Sequence, residues 1–85
     1  MAYKPIPVST ARAIATEFDK DQVIIVAWQK DGSRTHITTF GNGKDFSRMA
    51  AEGGKVIEKC LGLEGTIEYE NYIDERTTVK GSVRP

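Results

Sequence analysis

His36 and Cys60, the chain's one histidine and one cysteine, are the residues that could form a thiol–imidazole pair. Nucleophilic catalysis by such a pair needs the two side chains within hydrogen-bond reach, together with oxyanion donors. Cys60 falls on the apolar stripe of an expected helix, where a free cysteine behaves as a small buried hydrophobe. The chain therefore reads as a non-enzyme. One imidazole and scattered carboxylates are too few ligands for a metal within one protomer. A lone cysteine also excludes an intramolecular disulfide framework, and no cofactor is implied. Two other groups could bind rather than react. Gln29, Arg34, His36 and Thr38 can share one sheet face, polar at one end and apolar toward Val23 and Phe40. Ligand pockets combine apolar walls with a few convergent polar groups in this way. The plainer reading of His36 is a sheet histidine bonded to a neighbour. Gly41-Asn42-Gly43-Lys44 precedes a helix, and helix starts favour anions. Lys44 and Arg48 add positive charge there, although the glycine spacing is not that of a P-loop.

The elements that position these residues follow from periodicity. Pro5 and Pro7 hold Tyr3–Val8 extended, since a residue before proline avoids the helical region. Ser9 and Thr10 offer N-caps to a first helix, in which Ala11, Ile14, Ala15 and Phe18 mark one face. Gln22–Gln29 is rich in β-branched residues and reads as a strand. Asp31-Gly32 is a two-residue hairpin signal, and Arg34–Phe40 returns as the second strand. A two-residue loop sets the register: Trp28 opposite Thr35, Ala27 opposite His36, Val26 opposite Ile37, Ile24 opposite Thr39. One face then carries Ile24, Val26, Trp28 and Ile37 and is the better core face. The other carries Val23, Ile25, Ala27 and Phe40 among polar residues. Trp28 reads as core, or failing that as an interface anchor.

A second helix is expected from about Lys44 to Cys60, with Phe46, Met49, Ala50, Gly53, Val56, Ile57 and Cys60 as its apolar stripe. Gly53-Gly54 costs ~1 kcal/mol per glycine inside a helix. Close packing on the hairpin is the favoured reason for it, and a helix break the alternative. Residues 64–75 hold five carboxylates and no base, and residues 76–85 hold three bases and no acid. Thr66–Ile73 is compatible with a third strand, and the chain's end reads as a loose terminus. The expected class is α+β: an α-β-β-α core, an antiparallel hairpin packed by two helices, and a C-terminal extension forming a third strand or an arm. The whole is one small domain of 85 residues, with the core at 7–63.

Composition narrows the function classes. Twelve basic and 12 acidic side chains cancel, which disfavours sequence-independent nucleic-acid binding. With a hairpin between the helices, no helix-turn-helix is expected. The longest apolar run, Val23–Trp28, falls far short of the ~20 residues of a membrane span. No secretory signal is evident near Met1, so a cytoplasm is the expected compartment.

Several short segments carry a family resemblance. They are Ala11-Arg12 with Ile14-Ala15, Asp21-Gln22-Val23-Ile24-Ile25-Val26-Ala27, His36-Ile37-Thr38-Thr39-Phe40-Gly41, and Ala50-Ala51 followed by Gly54. Over roughly residues 7–63 the chain resembles a group of small uncharacterised proteins of tailed bacteriophages. The resemblance implies a phage origin and a host-cell cytoplasm, and no chemistry.

An isolated two-stranded hairpin is marginal in water. If both helices cover one face, Val23, Ile25 and Phe40 stay exposed on the other, and such a patch marks an interaction surface. Tyr69 and Tyr72, beside the acidic residues of the tail, are further interface candidates. A homo-oligomer is expected, most simply a dimer. The functional expectation is a phage accessory protein that binds a host macromolecule and inhibits a defence or regulatory factor. A nucleotide-like small ligand held at an oligomer interface is the alternative, and a DNA-binding regulator a further one.

Overall fold

A computed structural model of the chain describes residues 4–30, 32, 34–62 and 67–74. Helix α1 spans Val8–Phe18, strands β1 and β2 span Gln22–Trp28 and Thr35–Gly41, helix α2 spans Gly43–Leu61 and strand β3 spans Ile67–Asn71. The sheet has the order β1-β2-β3. This is the expected α+β class, with the C-terminal extension supplying a third strand.

The hairpin register is the expected one: Trp28 lies opposite Thr35, Ala27 opposite His36, Val26 opposite Ile37 and Ile24 opposite Thr39. Gly32 takes a positive φ of 77° and its N–H donates to the Gln29 carbonyl at 2.9 Å; Asp31 and Ser33 lie outside the described residues. β3 runs parallel to β2, with Ile37 opposite Tyr69. Parallel strands need a crossover connection, and α2 is that crossover.

Side chains alternate between faces along a strand, and the two helices lie on opposite faces of the sheet. Ala11 and Ala15 of α1 pack with Phe40, Val23, Ile25, Val8 and Tyr72. α2 lies over Ile24, Ile37, Thr39 and Tyr69, all of which approach its two central glycines. β2 is central and covered from both sides, so all seven of its residues are buried. Two of its threonines are hydrogen-bonded through their hydroxyls: Thr38 Oγ1 donates to the Ile6 carbonyl at 2.6 Å and Thr39 Oγ1 to Asn71 Oδ1 at 2.7 Å.

This layering corrects the expectation of a bare face. Val23, Ile25 and Phe40 are covered by α1, because each helix takes one side of the sheet. Beyond α1, the extended segment before Val8 continues the cover: the Ile6 N–H donates to His36 Nε2 at 3.0 Å. Tyr69 and Tyr72 also turn inward. The Tyr69 hydroxyl donates to Glu58 Oε1. The Tyr72 ring lies 5.3 Å from that of Phe40, with the Arg12 guanidinium 5.3 Å from each ring.

The helix boundaries also shift. α1 begins one turn early, capped by Pro7, whose carbonyl accepts the Thr10 N–H at 3.0 Å. Ser9 and Thr10 are therefore inside the first turn and make no side-chain cap. α2 is unbroken across Gly53-Gly54, but its buried residues are Ser47, Ala50, Ala51 and Gly54. Much of the expected apolar stripe is outside: Met49 is 55% and Val56 60% exposed, and Cys60 is exposed too. Small residues face the sheet because the helix lies close to β2.

Candidate functional site

At the hairpin-turn end, the N-terminal segment crosses the sheet beside the last residues of β1. Pro5 and Pro7 have no N–H, so Ile6 carries the one backbone donor between them. That donor goes to His36 Nε2, which accepts it at 3.0 Å. His36 is 4% and Thr38 0% exposed. Both residues hold the segment down, His36 through Nε2 and Thr38 through its hydroxyl; a bond to a neighbour is the plainer of the two roles expected of His36.

Between this segment and the end of β1 lies a groove of about 470 Å³, lined by Lys4, Ile6, Ala27, Trp28, Gln29, Lys30 and His36. Its floor is apolar, and Lys4 and Lys30 are exposed. Of the expected patch, Gln29 and His36 line it. Arg34 instead pairs with Glu68 on β3, both side chains being half exposed. Trp28, expected in the core, is 57% exposed. Its position is the last of β1, beyond the cover of both helices.

Lys44 and Arg48 belong elsewhere. They begin α2 at the opposite end of β2, so the six expected binding residues do not converge on one site. The nearby cleft, of about 260 Å³, is lined by Asp19, Asp21 and Lys20 with Thr16, Ala15, Phe40 and Asn42. Two carboxylates there oppose an anion, and Asn42 makes no side-chain cap for the helix start.

His36 lies on the α1 side of the sheet, and Cys60 is carried by α2 on the other side, so the sheet separates thiol from imidazole. Among the described residues no group of three or more His, Cys, Asp or Glu side chains converges as a metal site would. No described helix is long and apolar enough to cross a membrane. Burial, reinforced by the hydrogen bond to Glu58 and its charge, pushes Tyr69 from 10.0 up to about 12, a structural effect at the contact between β3 and α2.

Reasoning from sequence missed Lys4, Ile6 and Lys30 as groove residues. The paired prolines signalled an extended segment, but nothing local told which strand it would cross. Compared with known proteins, the chain matches no family model, no curated protein and no solved structure.

Proposed function

We propose that this chain is a non-enzymatic accessory protein of a tailed phage, acting in the host-cell cytoplasm by binding a host macromolecule. The phage origin and compartment rest on the segment resemblance within residues 7–63. The binding role rests on the groove beside β1. An apolar floor of Ile6 and Ala27 between Lys4 and Lys30 suits an acidic, partly apolar surface of a partner protein. Inhibition of a defence or regulatory factor is the role such binding serves.

The same observation favours a second reading, a nucleotide-like ligand, because an aromatic ring and two cations sit together at Trp28, Lys4 and Lys30. A DNA-binding regulator draws less support, since the two helices are fixed on opposite sides of a sheet and the charge balance is neutral.

One experiment addresses both readings. Wild-type chain and the double variant Lys4→Glu, Lys30→Glu are used to capture proteins from host-cell lysate, and the same pair is melted against a panel of nucleotides. A stoichiometric protein captured by the wild type and lost in the variant supports the first reading. A nucleotide that stabilises the wild type by ~2.7 kcal/mol at a hundred times its Kd, and not the variant, supports the second. Equal behaviour of the two chains in both arms removes the groove as the binding site.

A further inference from the structure

Among the described residues, no strand pairs with the outer edge of β1. The residues whose backbone faces that edge can be named. Asn42 N–H donates to the Asp21 carbonyl at 2.8 Å and Gln29 N–H to the Arg34 carbonyl at 2.8 Å. Antiparallel bonding alternates along a strand, so the odd positions of β1 bond to β2. Gln22, Ile24, Val26 and Trp28 therefore direct N–H and C=O outward. Exposed edges are ordinarily blocked by charge, proline or a bulge. Gln22–Trp28 contains no charged residue and no proline. The opposite edge of the sheet, β3, carries Glu68 and Glu70 within five residues.

Both helices present apolar flanks on the β1 side. The rotation of α2 is fixed by its glycines: a Cβ on Gly53 would meet Ile24 of β1, and one on Gly54 would meet Ile37 and Thr39 of β2 and then Tyr69 of β3. Lys55 lies over the Tyr69 ring at 5.7 Å, on the β3 side. At about 100° per residue, Phe46, Met49 and Cys60 then fall with Gly53 on the β1 side, and Lys44, Arg48 and Lys59 on the other. α1 repeats the arrangement. Arg12 sits over Tyr72, which follows β3, so Ile14 and Phe18 lie on the opposite side, toward β1; Phe18 is 58% exposed.

We propose that the β1 edge pairs antiparallel with the β1 edge of a second copy, about a twofold axis at Ile25. In that register Gln22 meets Trp28 of the second copy and Ile24 meets Val26, so every outward donor faces an outward acceptor. A twofold contact uses the same patch on both molecules, and an uncharged strand opposes itself without repulsion. The half-exposed rings of Phe18 and Trp28 present roughly 100 Å² each. Together with Phe46, Met49 and the strand backbone they reach the scale of a minimal specific interface, about 500 Å² per partner. The proposed interface shares Trp28 with the groove but does not draw on Lys4 or Lys30, and it replaces the Val23, Ile25 and Phe40 face, which the chain covers itself.

The test is the mass and the amide exchange of the whole chain. At about 100 μM, a hundredfold above a micromolar Kd, light scattering should give twice 9.4 kDa. The Ile24 and Val26 amides should exchange slowly there and quickly on dilution. Val26→Pro removes an outward N–H and spares the ladder to β2, so it should give a monomer. Met49→Glu alters only an exposed side chain. It should weaken association about ten-fold or more with an unchanged circular dichroism spectrum. A wild-type monomer at that concentration overturns the proposal. So does a dimer whose Ile24 and Val26 amides exchange as in the dilute sample, or one that Met49→Glu leaves at full affinity.

Discussion

Gly53 and Gly54 are neighbours in one helix with opposite prospects. A Cβ at Gly53 would meet a single atom, Ile24 Cδ1 at 2.9 Å, the end of a side chain that can rotate away. Gly53→Ala should then gain up to ~1 kcal/mol from helix propensity. A Cβ at Gly54 would press on Ile37 Cγ2 at 3.1 Å and Thr39 Cγ2 at 3.3 Å, branch methyls rooted in the central strand. Gly54→Ala should cost about 1 kcal/mol or more through overpacking. Urea unfolding of the two variants gives the order; a Gly54→Ala protein as stable as Gly53→Ala would remove close helix–sheet contact as the reason for the pair. The second prediction at this scale concerns Tyr69. Its hydroxyl is neutral in the folded chain up to about 12, against 10.0 for an ordinary tyrosine, first through burial and then through Glu58. Because the folded value is the higher one, this contribution to stability is complete below pH 10.0 and is lost as pH rises toward 12. Ultraviolet titration should show one late-ionising tyrosine, absent in Tyr69→Phe. Synchronous ionisation of all tyrosines in the wild type would contradict it.

At the scale of elements, the N-terminal segment is fastened through side chains, because prolines on both sides of Ile6 leave little backbone to pair. Thr38→Val keeps the shape and removes the hydroxyl that donates to the Ile6 carbonyl. It should cost about 1–3 kcal/mol, the penalty for stranding a desolvated acceptor. Amide exchange at Ile6 should quicken while exchange in β1 and β2 holds; unchanged exchange at Ile6 would show that the segment is held by other means. The hairpin register was legible from sequence, since strict alternation about Asp31-Gly32 leaves one register that buries the apolar positions. Amphipathicity located α2 as a helix but misjudged its rotation. Phe46, Met49 and Val56 dominate any hydrophobic count, whereas close approach to β2 selects Ser47, Ala50 and Gly54. The direction of β3 was not legible, because parallel pairing depends on the length and path of a helix between the strands. The expected patch is divided for a related reason: His36 and Thr38 are polar by type, and burial sets both against the N-terminal segment.

For the molecule as a whole, the sheet has two unlike margins, one bearing glutamates and one bare of charge, with an apolar helix flank on either side of the bare one. The expected bare face is covered, since Val23, Ile25 and Phe40 lie under α1, while Phe18, Trp28 and Met49 are exposed elsewhere. That expectation assumed both helices on one side, and a layered arrangement moves the exposed apolar residues from a face to an edge. The Asp74 N–H donates to Ser47 Oγ at 3.0 Å, which ties the segment just after β3 to the first turns of α2 and closes the crossover. That closure has a consequence for synthesis. A chain emerging from the ribosome can complete the hairpin as soon as Gly41 is free, yet the second margin of β2 must wait until Ile67–Asn71 has also cleared the exit tunnel. Until then Thr38 and Thr39, fully buried in the folded chain, stand beside a margin open to neighbouring nascent chains.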